Sequence, residues 1–188
     1  MRHTNVGLLY SNKTKAYSGV TLISPLHGNE TYLIGMTGEV LHKWIHPYKP
    51  GNYAYLLPTG NLLWAGETPN GPSPGGGKGG LLREYDWDGN IIWEYKDNNQ
   101  HHDFRRLQNG NTIYIGWEKM PTEAQKRMIG AEAFSEAEGG VTWSDYLCEV
   151  NQKGNTVWEW HAHSDLKIED YPLHMMSTRK EFLHCNAC

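Results

Sequence analysis

Four short clusters in this chain hold side chains that can do chemistry. They are His101-His102-Asp103-Phe104, His161-Ala162-His163, His184-Cys185-Asn186, and the pair Cys185 and Cys188. An imidazole moves protons near neutral pH and, once protonated, binds anions. An asparagine amide donates to a developing oxyanion without changing charge. In a strand, alternation sends His101 and Asp103 to one face and His102 to the other. Neighbours of that kind fix a tautomer poorly, so Asp103 is better suited to holding backbone or a turn. His161 and His163 share a strand face and could chelate a metal. A zinc site needs three or more converging ligands, however, and this pair follows Trp158-Glu159-Trp160 at an edge. It reads as a solvated loop, and no metal ligand is assigned. The CxxC of Cys185 and Cys188 lacks a second half, and three cysteines do not make a disulfide framework. They read as structural thiols.

The elements that must position these groups repeat. YLIGMTGEVLHKW (32–44), LREYDWDGNIIWEY (82–95) and LCEVNQKGNTVWEW (147–160) each read as an alternating run, a turn ending in glycine, and a second alternating run. That is the pattern of a β-hairpin. NYAYLLPTGNLLWAG (52–66) and HDFRRLQNGNTIYIGW (102–117) are two more. Gly60 and Gly110 are 50 residues apart, and Gly38 and Gly89 are 51. Two hairpins in each period give four strands, the content of a propeller blade. We therefore expect an all-β fold, one partial β-propeller over 1–188, with blade-like units at 32–66, 82–117 and 147–188. The Gly/Pro-rich stretch 67–80 reads as a surface connector between units or a loop covering a substrate. Residues 121–138 open on a proline and favour helix, which predicts one inserted helix.

The repeat also ranks the candidates. Shifting by 50 residues places His102 on Asn52, and both precede a strand running into Leu-x-x-Gly-Asn. First strands of propeller blades line the central channel, so groups at this point would ring the axis. His102, His184 and Asn186 are expected to converge there without a nearby carboxylate to repel an anion.

Bulk properties narrow the partners. Aromatics make up 12% of the chain, too many for a disordered segment. The net charge of −4 offers no basic excess for nucleic acid. No apolar run reaches the roughly 20 residues of a membrane span. The opening MRHTNVGLLYSNKTKAYSG holds no signal-peptide core, which leaves the compartment undetermined.

In combination, GxVxHxW (38–44), LLPTGNLL (56–63), HHDFxxLxNGN (101–111), DxLxEVNxxGxxVWEW (145–160) and the terminal HxN (184–186) resemble the arylsulfotransferase family. The likeness runs from about residue 31 to the end and rests on order and spacing. It implies a six-bladed propeller, of which this chain would supply about three blades. It also implies sulfuryl transfer from an aryl sulfate donor to a phenolic acceptor through a sulfo-histidine, with no cofactor. The HHD histidine matches His102, with His101 as understudy, and HxN matches His184 and Asn186. The family's nucleophilic histidine and sulfate-binding arginine are expected after HxN, which makes the chain read as a fragment. A partial propeller could also complete itself by self-association. The rival reading is a non-catalytic propeller that binds a ligand or protein, and a metal- or quinone-dependent propeller enzyme is a third.

Overall fold

The computed structural model describes residues 8–131 and 140–188. Strands dominate, in three antiparallel sheets that follow one another along the chain. The first holds β1 (Thr21–Ile23), β2 (Glu30–Ile34) and β3 (Val40–Ile45) in that order. The second holds β4 (Pro50–Leu56), β5 (Leu62–Glu67), β6 (Gly80–Tyr85) and β7 (Ile91–Lys96). The third holds β8 (Gln100–Arg106), β9 (Thr112–Lys119), β10 (Trp143–Val150) and β11 (Thr156–His161). The short β12 (Glu181–Phe182) joins it, parallel to the start of β10. Among the described residues, no helix is long and apolar enough to cross a membrane.

The expected hairpins all form. Gly38, Gly60, Gly89, Gly110 and Gly154 have φ between 79° and 88°, the left-handed conformation that closes a three-residue hairpin loop. The units, however, fall at a different phase from 32–66, 82–117 and 147–188. β3 and β4 lie in different sheets, whereas β5 pairs with β6 from Leu62↔Tyr85 to Glu67↔Gly80 across the Gly/Pro-rich connector. Likewise β9 pairs with β10 across 120–142. The sheet boundaries are the short links 46–49 and 97–99. Loop length misleads here because closure entropy grows only slowly with length. Matching apolar faces decide which strands pair.

Those faces build the core. β5 is buried on both sides. Leu62 and Trp64 pack with Leu33 and Trp44 of the first sheet. Leu63 and Ala65 pack with Phe104, Tyr114, Tyr146 and Val150 of the third. A smaller cluster of Met120, Ala124, Met128, Ala162, Ile168 and Phe182 fixes the irregular segments against the third sheet.

The predicted helix over 121–138 shrinks to α1 (Thr122–Gln125); residues 132–138 lie outside the described ones. Helical propensity loses to Arg179, whose guanidinium donates to the carbonyls of Gln125, Met128 and Gly130. Helix continuation would have needed some of those acceptors. A second short helix, α2 (Ala162–Asp165), and a single 3-10 turn (Ile168–Asp170) follow β11, so the described residues carry three short helical turns where one helix was expected.

Antiparallel pairing brings particular strand ends together. The start of β8, the end of β9, the start of β10 and the end of β11 share one end of the third sheet, opposite the glycine turns. The chemistry-bearing residues lie at that end.

Candidate functional site

β8 does not run straight. His101 pairs with Ile115 and Phe104 with Tyr114, so His102 and Asp103 have no direct partners and form a bulge. β4 makes the same irregularity between Pro50 and Ala54. Asn52 and His102 both take positive φ, 111° and 49°, and the Asn52 amide donates to the His102 carbonyl at 3.4 Å. The repeat thus builds one device twice. Bulges re-aim side chains, and this one overturns the expectation that His101 and His102 point to opposite faces. Their rings meet Nδ1 to Nδ1 at 2.8 Å.

His101 is fully buried and stacked on Trp117, with ring centroids 3.9 Å apart. Its Nε2 lies 3.2 Å from Asp145 Oδ1, within ion-pair distance but off the line of a hydrogen bond. The carboxylate favours a proton on His101 Nε2. His101 Nδ1 then accepts, His102 Nδ1–H donates, and His102 Nε2 keeps its lone pair. Burial lowers the His102 pKa to about 4, helped by the neighbouring His101 and His184. His102 is therefore neutral at pH 7.

The Gly/Pro-rich connector lies across this pair. Gly77 accepts the His102 N–H at 2.7 Å, and Lys78 bridges to His101. A Cβ on Gly77 would come within 2.4 Å of His102 Nε2, and its φ is +83°. Only glycine lets the connector backbone pack this closely on that edge of the ring. The stretch joins β5 to β6 within one sheet rather than successive units, and its 77–78 segment covers the histidine pair.

His184 joins the group, its ring centroid 4.9 Å from that of His102. It also borders a cleft of about 330 Å³ lined by Leu173, Ser177, Thr178, Glu181 and Leu183. Asn186 does not converge. It is exposed, and its amide donates to its own neighbour's carbonyl, that of His184. The expected freedom from carboxylates also fails. Glu181 pairs with His184 Nδ1 at 3.0 Å, and Asp103 and Asp145 are buried beside the histidines. Both aspartates serve the backbone. Asp145 accepts from Cys185 N at 2.7 Å, and Asp103 from Phe104 N and from Cys188 N at 2.9 Å. Asp103 also accepts from the Tyr53 hydroxyl. Each carboxylate ties the end of the chain to the third sheet, the backbone-holding role expected of Asp103. Burial, then Asp145, pushes the Cys185 thiol up to about 12, far from a reactive thiolate.

Sequence reasoning missed Asp145. The available signal was a carboxylate between Ser144 and Tyr146 in an otherwise buried strand, a place that demands a partner. It also missed Glu118. His161 and His163 are half-buried rather than solvated, and both reach Glu118 Oε1, at 2.8 Å from His161 Nδ1 and 3.3 Å from His163 Nε2. The two clusters use opposite faces of β9, since Trp117 stacks on His101 while Glu118 meets His161.

No family model and no curated protein matches the chain. Among solved structures, it is similar to a protein of unknown function from Bacteroides caccae at 17% identity and a TM-score of 0.48. The alignment covers 80% of this chain and 48% of that one, so this chain spans about half of that structure's length.

Proposed function

We propose that the chain is part of a β-propeller whose His101, His102 and His184 serve sulfuryl transfer between phenolic compounds. The propeller reading is supported by the repeated sheet, the 50-residue period, and the sequential packing of each sheet on the next. It makes β4 and β8, with their matching bulges, the inner strands.

One observation carries the catalytic reading, the hydrogen-bonded His101–His102 pair backed by Asp145. It leaves a neutral imidazole with a defined free nitrogen, as an acid–base catalyst requires. In the proposed reaction, a histidine nitrogen of the propeller forms a bond to sulfur while the bond from sulfur to the donor phenolate breaks, and the acceptor phenol oxygen then takes the sulfuryl group as the sulfur–nitrogen bond breaks. The acceptor's proton passes to His102 Nε2, which gives it to the donor phenolate that leaves in the next turnover. His184 donates to a sulfuryl oxygen. A structural reading also has support, since Asp103 and Asp145 hold the terminal backbone and His101 is sealed from solvent.

The test is acceptor-dependent release of 4-nitrophenol from 4-nitrophenyl sulfate by the full-length protein. His102→Ala should lower transfer about 10²-fold or more, the scale of a lost acid–base or oxyanion group. Undiminished transfer in that variant would remove His102 from the chemistry. Aryl sulfate bound without any transfer by the full-length protein would establish the non-catalytic binding reading instead.

A further inference from the structure

We propose that Glu118, His161 and His163 bind one divalent transition-metal ion, zinc being the best match to the donors, with a fourth position left open. The three donor atoms are Glu118 Oε1, His161 Nδ1 and His163 Nε2. All lie within 4.8 Å of one another, and this is the group of metal-ligating side chains found among the described residues. Zinc bound at about 2.0–2.1 Å spaces tetrahedral donors by about 3.3 Å. The Glu118–His163 separation of 3.3 Å already has that value. The Glu118–His161 separation of 2.8 Å has to open by about half an ångström, a small side-chain rotation. Two imidazoles and one carboxylate, with a site open on one side, form the donor set of hydrolytic zinc centres. The side chains keep 18% to 33% of their exposure, so an ion can enter.

The backbone around the donors is held in place without the ion. His161 ends β11, and its N–H donates to Asp165 Oδ2 at 2.6 Å. That bond closes α2 back on the strand and brings His163 onto the same side. Ala162 between them is fully buried in the third cluster. The Tyr146 ring lies along His161, and Glu159 stands 3.9 Å from its other nitrogen, within ion-pair range but beyond a hydrogen bond. A separate observation points to a missing ligand. Ser144 is directly opposite Glu118 on β10, so the two share a sheet face. Its hydroxyl is fully buried, with no hydrogen-bond partner among the described residues. Such groups are rare, and a bound water or ion commonly accounts for them. A water on the open metal position is a fitting partner for this one.

The experiment titrates the full chain, stripped of metal by chelator, with zinc by calorimetry and with cobalt(II) by visible absorption. Cys185→Ser/Cys188→Ser is the background, because that CxxC lies beside His184 and is a competing thiolate site. The expected result is one ion per chain, tetrahedral or five-coordinate cobalt absorption without a thiolate charge-transfer band, and a zinc-dependent rise in Tm. Glu118→Gln and His163→Gln should each weaken binding at least tenfold to a hundredfold, while His174→Gln, outside the cluster, should not. If Glu118→Gln proves unfolded by circular dichroism, His163→Gln on the more exposed α2 decides alone. Zinc lost with the cysteines, or binding unmoved by His163→Gln, overturns the proposal.

Discussion

At the scale of single residues, the fold turns an ordinary histidine into one that stays neutral well below pH 6. Three contacts do this together. Asp145 sets the tautomer of His101, His101 orients His102, and the surrounding protein penalises the charged ring. The acid limb of kcat/KM should therefore lie near pH 4 rather than near the ordinary histidine value of 6.5, and the ring itself should titrate there by NMR. A His102 resonance titrating at 6.5 would mean that the ring is free of this environment. Gly77 is the second sensitive residue. Gly77→Ala puts a methyl group against the imidazole at an unfavourable φ, so it should destabilise the fold by about 1–2 kcal/mol and cut transfer with it. Denaturant titration and the nitrophenol assay separate the two effects.

At the scale of elements, the third sheet works as a scaffold that holds the end of the chain. β10 supplies Asp145, β8 supplies Asp103, and each accepts a backbone N–H from the 185–188 segment. Asp145 also raises the Cys185 thiol pKa, after burial has done so. Asp145→Asn should therefore lower that pKa toward the ordinary 9.0 and loosen the segment. Alkylation of Cys185 at pH 8, read by mass spectrometry, should accelerate at least severalfold. An unchanged rate would show that the aspartate does not control the segment. The sheet-to-sheet contacts are simpler. Leu63 is fully buried between the second and third sheets, and Leu63→Ala should cost about 2–5 kcal/mol, measured by urea unfolding.

For the whole molecule, one buried and one half-buried histidine tie stability to pH. His46 is stacked on Trp64 and bonded to Thr31 Oγ1 at 2.8 Å. Burial, then Arg83, lowers its pKa to about 4, as burial does for His102. Between the ordinary 6.5 and about 4, the unfolded chain binds protons that the folded chain does not. Stability is therefore full above pH 6.5 and falls as the pH drops through that window. His46→Phe keeps the stack and removes one titration. It should flatten the acid loss by about 1–3 kcal/mol in urea midpoints taken between pH 7 and pH 4.5. An equally steep loss in that variant would assign the effect to other groups.

What the sequence determined by itself was local. Alternation, glycine turns and the 50-residue period announced β-hairpins and put His102 in register with Asn52, because these signals act over a few residues. Tertiary structure decided which hairpins share a sheet, since pairing follows apolar faces rather than distance along the chain. It also decided the chemistry. Asp145 is 44 residues from His101 in sequence, and Glu118 is 43 from His161. The bulge at His102 turned two rings toward each other that simple alternation sends apart. Asn186 had the right type and spacing but closed on its own neighbour's carbonyl, the nearest acceptor to an exposed amide. A short motif fixes which groups are available, and long-range pairing across antiparallel strands fixes which of them meet.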